Sequence, residues 1–295
     1  MMEIIGNLLL NIMMGFVNLL IMPWHIYQWL NLDTIKLKMN AVTLMGMSHQ
    51  FFFVVFAFVL ILVLFGLYSR TFLRSLVVNL EGFNSKIGRV ASWFALIMVI
   101  QQVMIIVVGQ VFRGNGLTFS PLGLTLVDEQ LQWLSGQLKF YNAILIVFAS
   151  AYTFIEGGHV RVDLIYSAVK KRTKQWIDLF GTLLMFMPST ILLWWFSWPI
   201  ATNSMFKQRP INIFSEKTSW RGYKFESSGT AEFSWVWAFK LFVVIFAGLM
   251  FICAVAFLLR NILALLEKDK DIPTHFSTSE SHNGMGKEAP TGHPT

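Results

Sequence analysis

The sequence is poor in charge. Charged residues make up only 13% of the chain, about half the share of roughly 25% that soluble domains carry. So few charges cannot cover a surface that faces water, which excludes an ordinary soluble protein. The sequence also has a single cysteine, Cys253, so an intrachain disulfide and a CxxC metal or redox site are excluded.

The motifs of common enzymes are absent as well. The chain has no GxSxG, no HExxH and no Walker A loop. The formal net charge is +7, but the cationic residues lie between apolar runs and form no basic stripe with interleaved aromatics, as nucleic-acid-binding proteins do. We therefore predict that the chain is not an enzyme, binds no metal or cofactor and binds no nucleic acid.

What the chain does contain is long apolar runs. Hydrophobic residues make up 55% of it, including 28 Phe and 11 Trp. A bilayer core about 30 Å thick is spanned by a helix of about 20 apolar residues. Six runs without Asp, Glu, Lys or Arg predict an all-α polytopic membrane protein of about six transmembrane helices. The runs are Ile4–Met22, Phe51–Tyr68, Val90–Phe112, Phe140–Ile155, Leu179–Pro199 and Leu241–Leu259.

The Lys and Arg residues between the runs predict the orientation, because short cytoplasmic loops carry an excess of them. Alternate loops are basic, which predicts that both termini are cytoplasmic and that residues 23–50, 113–139 and 200–234 lie outside. Residues 265–295 are polar and rich in Pro, Gly, Ser and Thr, which predicts a disordered cytoplasmic tail. One outer loop breaks the pattern, with the basic residues Lys207, Arg209, Lys217, Arg221 and Lys224.

The most informative polar stretch is GGHVRVD at residues 157–163. Gly157 and Gly158 let the chain leave a helix abruptly, because glycine takes positive φ without penalty. His159, Arg161 and Asp163 then place a donor, a cation and an anion at alternate positions. This pattern fits a helix C-cap with solvated charges. It also fits a fixed cytoplasmic corner in which Arg161 and Asp163 are paired or bonded to backbone.

GGHVRVD after a short apolar helix resembles the signature of the DctQ-like family, the small membrane subunits of TRAP transporters. The surrounding layout is also similar, with an acidic residue (Asp128 or Glu129) before the motif, then the basic turn KKRTKQWIDL and a last helix that opens with a lysine, WVWAFKLFVVIF. The resemblance implies a four-helix DctQ-like core at residues 86–264. Residues 1–85 would then be a two-helix N-terminal extension, a transmembrane hairpin that this family's pattern lacks.

The resemblance implies a function. Such a chain is expected to be the small scaffold subunit of a tripartite secondary transporter in the bacterial inner membrane. Its expected partners are a large membrane subunit, which carries the solute and a coupling ion such as sodium, and a periplasmic solute-binding protein. The solute would be a small organic molecule, usually a carboxylate, and no residue of the scaffold is implied to bind it.

Amides within the apolar runs indicate helix contacts. Asn7, Asn11 and Asn18 fall within about 40° of one another on a helix, and adjacent Gln101 and Gln102 cannot share a face. Such amides avoid lipid and hydrogen-bond across helix interfaces. The facing helix belongs either to this chain or to a partner subunit, and the sequence leaves both open.

Lys240 opens the last apolar run. It is expected to reach the lipid headgroups, or else a lipid phosphate or a partner's carboxylate. The basic cluster at residues 170–174 is likewise expected to meet anionic membrane lipids.

Two other functions remain as alternatives. A self-sufficient channel or carrier normally places ionisable residues within its spans, and the six runs have none. A membrane anchor of a redox complex would hold haem through histidines within the bilayer, and no histidine lies within a run.

Overall fold

The computed structural model describes residues 2–119, 127–155, 171–207 and 221–266. Within these ranges six helical segments are long and apolar enough to cross a membrane, which confirms the predicted all-α polytopic fold. Two of the helices, α6 and α7, form one such segment. The helices are α1 (Met2–Leu30), α2 (Ile35–Met45), α3 (His49–Tyr68), α4 (Arg70–Ile106), α5 (Leu131–Ile155), α6 (Lys171–Gly181), α7 (Met187–Met205) and α8 (Val236–Leu266).

Helix α4 is much longer than the apolar run within it. The sequence predicted a basic loop before Val90, but the helix begins at Arg70 and continues through a π turn at Val107–Val111. The prediction of a loop here is wrong, because an apolar window stops at the first charges whereas a helix does not. The combined length is about 60 Å at 1.5 Å per residue, about twice the bilayer core. Helix α4 also runs without a break through the predicted boundary between residues 85 and 86.

Two pieces of regular structure lie in segments that were predicted only as outer loops. Helix α2 separates α1 from α3. A two-stranded antiparallel sheet of β1 (Gly116–Phe119) and β2 (Val127–Gln130) joins α4 to α5. Both segments are too short or too polar to give an apolar run, so hydropathy does not reveal them.

The bundle has two distinct ends. We call the end with α2, the small sheet and the α7–α8 connection the tryptophan-rich end, because Trp133, Trp198, Trp235 and Trp237 lie there. The opposite end carries the α3–α4 junction, the start of α6 and the last turn of α8. We call it the basic end, after Arg70, Arg74, Arg172, Lys174 and Arg260.

Helix α8 is the centre of the core. Ala247, Cys253, Ala254, Leu259 and Leu263 on it are fully buried. One hydrophobic cluster joins α8 to α3, α4 and α7, and a second joins it to α5. Helix α8 contacts so many neighbours because its small residues let the surrounding helices approach closely.

The segment from α6 to α7 contains a second π turn, Thr182–Phe186, just before Pro188. Proline removes a backbone donor and disturbs the helical hydrogen-bond ladder. Two hydroxyls then bond to carbonyls one turn back, since Ser189 Oγ donates to the Phe186 carbonyl at 2.9 Å and Thr190 Oγ1 to that of Met187 at 2.8 Å.

Candidate partner-binding site

Gln101 and Gln102 lie next to each other on α4 but face different surroundings. Gln101 is buried, and its Nε2 donates to the Leu134 carbonyl at 2.9 Å and to Gln137 Oε1 at 3.1 Å, both on α5. Gln137 Nε2 in turn donates to the hydroxyl of Tyr141 at 2.9 Å. Gln101 is therefore satisfied by its own chain, and its network ties α4 to α5.

Gln102 is exposed, as are Val99 and Ile106 on the same side of α4. It lies nine residues before the end of the π turn, which is about 14 Å along the helix. Gln110, also exposed, lies eight residues further on and about 80° around the helix from Gln102. We call the surface formed by Val99, Gln102, Ile106 and Gln110 the glutamine face of α4.

The asparagines of α1 lie beside its contact with α3. Gly15, between Asn11 and Asn18, is buried, and a Cβ there would come within 2.6 Å of the Phe53 carbonyl oxygen. Asn11 and Asn18 are half-buried and Asn7 is exposed. No hydrogen bond joins these three amides to another described residue. Part of the stripe thus follows a helix of this chain, while Asn7, near the start of α1, is exposed.

Lys240 forms an ion pair within its own chain. Its Nζ lies 2.6 Å from Glu226 Oε2, and each side chain is about one-third exposed. The hydrogen bond from Lys240 is the main cause that lowers the pKa of Glu226 below its usual value of 4.5. The expected contacts of Lys240 were lipid or a partner's carboxylate. Nothing in the sequence indicates that Glu226, fourteen residues away and across a turn, supplies the carboxylate.

The sequence did not predict a cluster of buried polar residues near the basic end. Glu81 of α4 is only 1% exposed, and its Oε1 lies 3.5 Å from Nη1 of Arg260 on α8. Asn84 and Ser85 lie on the same face of α4, one turn on, and are buried too. The side-chain amide of Asn84 and the hydroxyl of Ser85 have no hydrogen-bond partner among the described residues. The only sign of this cluster in the sequence was the spacing of a Glu, an Asn and a Ser, which places them on one face of a helix.

The motif residues Gly157, Gly158, His159, Arg161 and Asp163 lie outside the described residues. Among the residues that are described, no group of three His, Cys, Asp or Glu side chains is placed to hold a metal ion. Cys253 is a free, buried thiol in the core. The described part of the site is therefore a set of helix faces and loop surfaces that suit contact with other proteins or lipid.

Comparison with known proteins agrees with this arrangement. No curated protein and no solved structure matches the chain. A family model does match, over residues 104–264, which is 161 of the 295 residues. Its description is "Tripartite ATP-independent periplasmic transporters, DctQ component", so the family consists of transporter subunits and is not known for enzymatic activity. The chain therefore belongs to the DctQ family, the small membrane component of these transporters.

Proposed function

We propose that the chain is a scaffold that binds the large, solute-carrying subunit within the inner membrane of a bacterium. The transporter would take a small organic solute, a carboxylate, from a periplasmic solute-binding protein and couple its import to an ion gradient. Both termini would be cytoplasmic, so that the basic end faces the cytoplasm and the tryptophan-rich end the periplasm. Residues 1–85 would extend a DctQ-like core at residues 86–264, and residues 265–295 would form a cytoplasmic tail.

The glutamine face of α4 is the observation that carries the scaffold role. Gln102 is exposed in a helix whose neighbouring exposed residues are Val99 and Ile106. Its amide has two donors and one acceptor that lipid cannot satisfy. A polar group in this position is favoured only when another helix covers it, at about 0.6 kcal/mol per interhelical hydrogen bond. Among the described residues no helix of this chain covers Gln102, which is exposed, so we assign the covering helix to the large subunit.

The absence of ionisable residues along the apolar parts of the described helices also favours a scaffold over a carrier. Carriers and pumps place Asp, Glu, Lys or His along the path of their solute or ion. Here Glu81 and Arg260 lie towards the basic end, and Lys240 lies at the other end of α8. The charges are thus at the ends of the bundle, as in a protein that anchors a partner.

Co-purification tests the scaffold role. The chain is co-expressed with its large subunit, which alone carries an affinity tag, and the amount of chain recovered is measured. The wild type and Gln101→Leu are compared with Gln102→Leu. We expect Gln102→Leu to lower recovery severalfold while the melting temperature of the isolated chain stays the same. Gln101→Leu should lower that melting temperature, because it breaks the bonds to α5.

Two results would contradict the proposal. One is full recovery of Gln102→Leu together with wild-type transport. The other is solute flux into liposomes that contain this chain alone, which would instead support the self-sufficient channel or carrier.

A further inference from the structure

The connection between α7 and α8 presents a basic and aromatic surface at the tryptophan-rich end. We call it the loop surface and define it by Lys207, Arg221, Tyr223, Lys224 and Phe225. All five side chains are exposed. Lys207 and Arg221 form no ion pair within the described part of the chain, and Lys224 lies close enough to Glu226 to help lower the pKa of that carboxyl. These cations are unusual, because the loop is predicted to lie outside, where Lys and Arg are scarce near helix ends.

Backbone hydrogen bonds hold the loop surface in place. The Glu226 N–H donates to the Ser204 carbonyl and the Lys224 N–H to that of Met205, both at 2.9 Å. Further along, the Lys207 N–H donates to the Gly222 carbonyl at 2.7 Å. The two chain segments thus form a short ladder that continues from the end of α7. The ladder carries Lys207 and Arg221 beyond the last turn of α7, which ends at Met205.

The ladder is also strained at one residue. Phe225 has a φ of +44°, a conformation that bulky residues rarely adopt. Its ring stacks on that of Tyr223, with centroids 5.6 Å apart and planes within 2° of parallel, and meets Trp237 of α8 at 5.1 Å. Strain of this kind costs about 1–3 kcal/mol and persists where the surroundings enforce it, often at binding sites. Here it holds a flat aromatic pair in the same short segment as Arg221 and Lys224.

We propose that the loop surface is the docking site for an acidic patch on the periplasmic solute-binding protein. Exposed aromatic and Arg side chains on a rigid backbone are typical of protein interfaces. The three cations would steer an acidic partner towards the membrane complex and raise its association rate. A lipid headgroup is less suited, because it would contact the cations and leave the exposed rings of Tyr223 and Phe225 uncovered. The proposal rests on the scaffold function, since it needs the assembled transporter.

The test measures how fast the binding protein associates with the whole complex. The chain and its large subunit are placed in nanodiscs of neutral phosphatidylcholine. The solute-binding protein of the same transporter is passed over them at about 0.1 M and about 1 M salt. The higher salt concentration shortens the electrostatic screening length roughly threefold. The variant carries Lys207→Glu, Arg221→Glu and Lys224→Glu. Arg221→Glu alone serves as a milder variant. Arg113→Glu is the control, an exposed cation just after the π turn that follows α4.

We expect the association rate constant at low salt to fall about tenfold in the triple variant and less in Arg221→Glu. The salt dependence of the wild type should be lost in the triple variant, and Arg113→Glu should stay within about twofold of the wild type. Equal association rates for the wild type and both loop variants would overturn the proposal. If the triple variant instead lost anionic lipid from native membranes and kept its association rate, the surface would be a lipid site and the proposal would again fall.

Recovery of the large subunit with each variant is measured first. A wild-type chain that retains no large subunit would contradict the scaffold function and this surface with it. A complex that assembles normally but shows the same association rate for all variants would contradict this surface alone.

Discussion

Arg260 of α8 reaches across to the buried carboxylate of Glu81 on α4, with Nη1 3.5 Å from Oε1, although 179 residues separate the two in sequence. Glu81 is 1% exposed, whereas the side chain of Arg260 is 31% exposed. The arginine can therefore reach water at the basic end while its charge faces a carboxylate that cannot. This pair joins the N-terminal half of α4, which the apolar runs did not reveal, to the central helix α8.

We predict that Glu81 and Arg260 are energetically coupled. Glu81→Gln, Arg260→Met and the double variant form a double-mutant cycle, measured by unfolding the chain in mixed micelles with increasing SDS. Contacting charged pairs couple by about 0.5–3 kcal/mol, and we expect a value in that range. The same cycle between Glu81 and Arg89, which is exposed about 12 Å further along α4, should be additive. Additivity in the first cycle as well would show that the ion pair does not hold the helices together.

The second prediction concerns the contact of the N-terminal hairpin with α7. The Trp198 indole N–H donates to the Thr43 carbonyl at 3.0 Å, and that of Trp194 to the Gly46 carbonyl at 3.2 Å. The ring of Trp198 fills the space where a Cβ on Gly46 would lie. Gly46→Leu should therefore displace the end of α2 and lower the free energy of unfolding by about 1–3 kcal/mol.

The matched control is Gly181→Leu, because a Cβ at that position meets no atom within 4 Å. Thermal unfolding followed by tryptophan fluorescence reports both variants, since Trp194 and Trp198 lie at the contact. A melting temperature of Gly46→Leu equal to that of the control would mean that the hairpin does not depend on this contact.

These contacts separate the features that the sequence predicts from those that it does not. The six apolar runs predicted the membrane helices because a charge within lipid costs several kcal/mol, which leaves a local mark on the sequence. The partners of Glu81, Gln101 and Lys240 left no such mark. The partners of Glu81 and Gln101 depend on which helices become neighbours, and that is decided by packing between distant residues such as Gly46 and Trp198. The partner of Lys240 depends on the path of the connection before α8.

The predicted roles of the GGHVRVD residues remain a proposal, and a charge swap tests them. Arg161→Ala and Asp163→Ala should each lower the yield of assembled complex and leave solute affinity unchanged, because the corner is expected to be structural. If the two side chains pair with each other, Arg161→Asp combined with Asp163→Arg should restore much of the yield. Yield is read by size-exclusion chromatography of the complex. Normal assembly with altered solute affinity would show instead that the corner serves transport.

The last prediction uses the pH dependence of the Lys240–Glu226 pair. Because Lys240 lowers the pKa of Glu226 below 4.5, the pair stabilises the fold fully above about pH 4.5, and the stabilisation is lost as the pH falls through the lowered value. Lys240→Met should therefore lower the melting temperature at pH 7, by an amount that corresponds to less than about 1 kcal/mol for so exposed a pair. The difference in melting temperature between Lys240→Met and the wild type should shrink below pH 4.5.

Lys139→Met, which breaks the more exposed pair with Glu232, should have a smaller effect at both pH values. A difference for Lys240→Met that stays constant as the pH falls would mean that the ammonium group acts through packing or lipid and not through Glu226.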